Sequence, residues 1–98
     1  MECTIRAEAA TKLREILQNE TDKNLKLRVF VAHAHGDHAH YGLGLDEPKD
    51  TDELVQTATG VEVLLEKGQA FLDGIEIDYD PASDEWSIAH PEMGHHHG

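Results

Sequence analysis

Residues 71–79 read FLDGIEIDY, from Phe71 to Tyr79, and this stretch sets the fold. Asp73-Gly74 is a turn pair, and Ile75, Ile77 and Tyr79 then alternate with Glu76 and Asp78. That is the two-residue period of a strand with one buried face. The strand runs over 75–80, and "PASD" joins it to a second strand, "EWSIAH", over 85–90. Just upstream, "KGQAFLDG" reads as a single helical turn closed by Asp73-Gly74. Phe71, Tyr79 and Trp86 are expected in the core.

Working outward, "LVQTATGVEVLLE" gives two short strands around Gly60, and "EPKDTDE" before it is a loop. "YGLGLD" (41–46) places Tyr41, Leu43 and Leu45 on one face. The intervening glycines leave the other face open or let a backbone approach closely. "LKLRVFVA" (25–32) places Leu27, Val29 and Val31 together. Phe30 on the opposite side predicts that both faces meet apolar neighbours. "AEAATKLREILQNE" is a helix, with Ala9, Ala10, Leu13, Ile16 and Leu17 on one stripe. "ECTI" (2–5) is a short opening strand.

About seven short strands and one helix predict an α+β, mainly β, fold. It is a strand-rich barrel or sandwich with the N-terminal helix packed outside. Helix–strand alternation is absent, which excludes a doubly wound parallel sheet. At 98 residues the chain is expected to be one domain over 1–92, followed by a histidine-rich tail over 93–98.

Twenty acidic residues against eight basic ones give a formal net charge of −12. That disfavours nucleic acid and anionic membranes and favours cations. No run approaches the ~20 apolar residues of a membrane span, and the first residues lack a secretory pattern. The expected location is cytoplasmic. Cys3 is the single cysteine, so no internal disulfide forms. It reads as a packed core thiol.

Several segments together resemble the HesB-like family of A-type iron–sulfur cluster carriers. They are "AEAATKL", "LRVFV", a glycine-bearing loop into "YGLGLDE", "GVEVLLE", "FLDGIEIDY" and "EWSIAHPE", spanning roughly residues 3–92. The resemblance implies the carrier fold, a dimer or higher oligomer, and iron–sulfur assembly proteins as partners. It also implies three ligand cysteines, one in the glycine-rich loop and two in a C-terminal Cys-Gly-Cys. Neither feature is present. The loop position aligns with Gly36, and the C-terminal pair aligns with His95 and His97.

All eight histidines fall in those two places: His33, His35, His38 and His40, then His90, His95, His96 and His97. With Gly36 and Asp37 at the centre of a hairpin, His35 faces His38 and His33 faces His40, all on one side. Opposed residues lie about 4.5–5.5 Å apart, close enough to share an ion. That register sets Leu27, Val29 and Val31 against Asp46, Gly44 and Gly42. A bulge near Ala32 or Tyr41, or a looser loop, resolves the conflict.

The expected ligands are therefore His33, His35, His38, His40, His95, His96 and His97, with Asp37 as a ligand or as a partner that orients a ring. His90 reads as a strand-end residue. Imidazole suits iron or zinc. A conventional iron–sulfur cluster needs thiolates that this chain lacks. The expected function is a metal carrier, buffer or sensor rather than an enzyme. The competing reading is an interaction module that keeps only the scaffold. Hydrolysis by a metal-bound hydroxide is the weakest reading, since no paired carboxylates or activated nucleophile accompany the histidines.

Overall fold

A computed structural model describes residues 1–36 and 38–91. Its strands are β1 (Cys3–Ile5), β2 (Lys26–His35), β3 (His38–Asp46), β4 (Asp52–Gln56), β5 (Glu62–Glu66), β6 (Ile75–Asp80) and β7 (Glu85–Ala89). The helix α1 spans Ala7–Asn19, and a 3-10 turn spans Ala70–Leu72.

The FLDGIEIDY stretch behaves as its pattern dictates. Ile75, Ile77 and Tyr79 are buried, while Asp78 is exposed. Gly74 takes a positive φ of 96°, which glycine adopts without steric cost. β6 forms the centre of a three-stranded sheet, order β1-β6-β7, parallel to β1 and antiparallel to β7. A four-stranded sheet has the order β3-β2-β5-β4, with β2 and β5 parallel. Among the described residues these two sheets do not close into a barrel, so of the two expected architectures the open, two-sheet one is found.

The core lies between the sheets and under α1. Ala9, Ala10 and Leu13 of the helix are buried against a cluster with Leu27, Val29, Val63, Leu65, Ile75 and Ile77. Burying a side chain of this size stabilises by roughly 1.5–3 kcal/mol. Lys23 Nζ donates to the Leu17 and Gln18 carbonyls, satisfying acceptors left over at the end of α1.

Three expectations need correction. Phe30 is 45% exposed, so the outer face of the four-stranded sheet is not covered there. Phe71 and Trp86 are half-buried rather than central, whereas Tyr79 is buried. Asp52 and Glu53, expected in a loop, open β4. The Asp52 carboxylate is fixed by Arg28 Nη1 at 2.6 Å and by the Lys49 amide at 2.8 Å, which anchors the strand start.

Candidate metal site

β2 and β3 form one long antiparallel ribbon. From Lys26↔Asp46 to Val31↔Tyr41 the pairing is regular, and Leu27 faces Leu45 while Val29 faces Leu43. The register then shifts between Val31 and His33, which makes Ala32 the extra residue of a bulge. Beyond it His33 pairs with His40, Ala34 with Ala39 and His35 with His38. The bulge lets the apolar residues face the core and the histidines face each other on the same two strands. Gly36 takes φ +63° at the tip.

Alternation along β3 assigns the faces. Tyr41, Leu43 and Leu45 turn inward. His38 and His40 therefore share the outer face with Gly42 and Gly44. All four hairpin histidines are exposed. The His33 and His40 ring centres are 6.1 Å apart, and those of His33 and His35 are 6.5 Å apart and nearly parallel. Two imidazoles that share a tetrahedral ion have ring centres about 5 Å apart. The rings are thus near chelating distance but not closed on it, and among the described residues no three His, Cys, Asp or Glu side chains converge on one point.

Phe30 lies across β3, against Gly42. A Cβ at position 42 would collide with the Phe30 ring. The glycine pattern predicts an open face or a close backbone approach, and at Gly42 an aromatic side chain takes that space instead.

His90 is buried, and its Nε2 donates to the Asp73 carbonyl. It is held at the strand end, as its position suggested. Asp37, His95, His96 and His97 lie outside the described residues.

The single thiol does not join the hairpin. Cys3 sits on β1 in the other sheet, where burial pushes its pKa up to about 12. A thiolate-held iron–sulfur cluster therefore does not fit the described residues, and the donor chemistry that remains is imidazole.

No family model matches the chain. It is 40% identical over 72 residues to the putative iron-sulfur cluster insertion protein ErpA of Nitrosospira multiformis, a match covering 72% of this chain and 57% of that protein. The iron-sulfur cluster insertion protein ErpA 2 of Methylococcus capsulatus is also 40% identical over 72 residues, covering 72% and 55%. The chain belongs to the HesB-like family of A-type iron–sulfur cluster carriers. Its fold matches that of Escherichia coli SufA, described as involved in biosynthesis of iron–sulfur clusters. The TM-score is 0.76 at 21% identity, over 98% of this chain and 86% of that one. The matched segment spans little more than half the length of the two curated relatives. None of these names is that of an enzyme. Among the described residues of this HesB-like chain, no helix is long and apolar enough to cross a membrane.

Proposed function

We propose that this chain is a cytoplasmic, non-enzymatic carrier of a metal cargo, iron or zinc, serving iron–sulfur cluster assembly. Imidazoles hold the cargo where the family uses thiolates. The observation that carries this reading is the exposed face on which the Ala32 bulge phases His33, His35, His38 and His40 together. Exposed rings reorient at little cost, so an arriving ion can draw them in from 6.1 Å.

His95, His96 and His97, where the resemblance places the family's C-terminal ligands, are the further imidazoles for capture or hand-over of the same cargo. Asp37 adjoins the same rings in sequence. Partners are the cluster-assembly proteins implied by the relatives' names.

Calorimetric titration of the untagged chain with zinc and, anaerobically, with ferrous iron tests this reading. Stoichiometric binding that disappears in the double variant His35→Ala, His38→Ala supports it. Binding no stronger than that of a surface-histidine control leaves only the scaffold module. A visible absorption band after addition of iron and sulfide separates a cluster from a bare ion.

A further inference from the structure

Cations are scarce in this chain, and most are paired. Of its eight lysines and arginines, Arg6, Lys12, Lys26, Arg28 and Lys49 each meet a carboxylate. Among the described residues Arg14 and Lys23 meet only backbone carbonyls. Arg14 Nη2 donates to Thr59, and Lys23 Nζ donates to Leu17 and Gln18. A neutral carbonyl fixes a cation in place without cancelling its charge. By these bonds Arg14 keeps four of its five N–H donors and Lys23 one of its three. Both line one cleft of about 600 Å³, bounded by the end of α1, the start of β2 and the turn between β4 and β5. That volume is usual for a small-molecule site. Leu17, Leu25 and Val61 supply its apolar part.

We propose that this cleft binds a small organic monoanion, a carboxylate carried on a short apolar body. The charges of the lining set the ligand's charge. Three cations, Arg14, Lys23 and Lys26, stand against two carboxylates, Asp22 and Glu62, which leaves +1. Lys26 and Glu62 satisfy each other at 2.9 Å. Lys23 covers the last carbonyls of α1, whose negative dipole end otherwise repels an anion. Charges more than about 8 Å away are largely screened at physiological salt, so the net −12 of the chain does not outweigh this local balance. The planar fork of Arg14 suits the two oxygens of a carboxylate, and the remaining Lys23 donor reinforces it. The apolar body rests on Leu17, Leu25 and Val61. The site does not depend on the metal-carrier reading, since Lys26 and His35 are the two ends of β2, about 30 Å of extended strand apart.

Hexanoate is the probe, titrated into the isotope-labelled full chain and followed by NMR. The expected result is a saturable shift of the Leu25, Gly60 and Val61 amides, with a dissociation constant in the millimolar range that so small a ligand reaches. Hexanamide has the same body without the charge, and inorganic phosphate has charge without the body. Each is expected to bind at least about tenfold more weakly. Arg14→Gln and Lys23→Gln each weaken hexanoate binding about fivefold. Lys23 is an exposed turn residue, so its variant carries the test should Arg14→Gln fail to fold. Lys67→Gln removes a cation that also bonds to a carbonyl, that of Asp50, but lies outside the cleft, and it leaves the titration unchanged. Hexanamide binding as tightly as hexanoate, phosphate binding more tightly, an equal loss in Lys67→Gln, or shifts that never saturate each overturn the inference. None of these outcomes touches zinc binding at the hairpin.

Discussion

The two halves of the β2–β3 ribbon are built from the same pair of strands and have opposite characters. On the Lys26–Val31 side the inward face is core, and the outward face is tied by ion pairs. Arg28, with its side chain 15% exposed, holds Asp46 at 3.0 Å and Asp52 at 2.6 Å, and the Asp52 side chain is only 2% exposed. On the His33–His40 side every imidazole is exposed. One half spends its side chains on stability and the other leaves them available for chemistry. The boundary is one inserted alanine.

The strongest way to break this contrast is Arg28→Ala. It leaves the Asp52 carboxylate buried without its cation, which costs about 3–5 kcal/mol by chemical denaturation. The bond to Arg28 holds the Asp52 carboxyl below its usual range. The sign follows: a depressed folded pKa gives stability that is present above the unfolded value, and it is lost as pH falls through the folded one. Acid titration of the wild type is therefore expected to erase part of the difference from Arg28→Ala below about pH 4.

A smaller effect is expected at the junction of the halves. Gly42→Ala forces the Phe30 ring off β3 and costs about 1 kcal/mol, because an exposed ring swings more easily than a core one. At the tip, His35→Ala with His38→Ala changes stability by less than about 0.5 kcal/mol while abolishing zinc binding. A large loss of stability there would erase the distinction between the halves. Smallest of all is the response of Cys3, which sharpens the contrast from the other sheet. With its pKa raised to about 12, the thiol is expected to resist a thiol-reactive reagent at pH 8 and to react fully only on unfolding. A folded-state pKa raised in this way also makes stability fall as pH climbs from 9 toward 12, since the unfolded chain gives up the proton first.

Much of the fold is legible in short windows. The spans 75–80 and 41–46, the strands around Gly60 and the helix over Ala7–Asn19 follow from apolar period alone, because each element buries one face. The hairpin pairs His33–His40 and His35–His38 follow from the spacing about Gly36. Phe30 misleads for a physical reason. An outward aromatic beside a glycine strand covers itself against that glycine, so no second protein layer is needed. Asp52 misleads because its strand start depends on Arg28, which is far away in sequence.

The sequence by itself determined the strand and helix content, the strong negative charge, and the gathering of all the histidines into two segments. Those properties are local or additive, so no knowledge of neighbours is needed to read them. Only the tertiary structure decided that Ala32 takes up the register conflict, that the histidine face is the outer one, and that Cys3 is held apart in another sheet. Each of these depends on which strand lies alongside and which face meets the core, and such packing choices are made between segments distant along the chain.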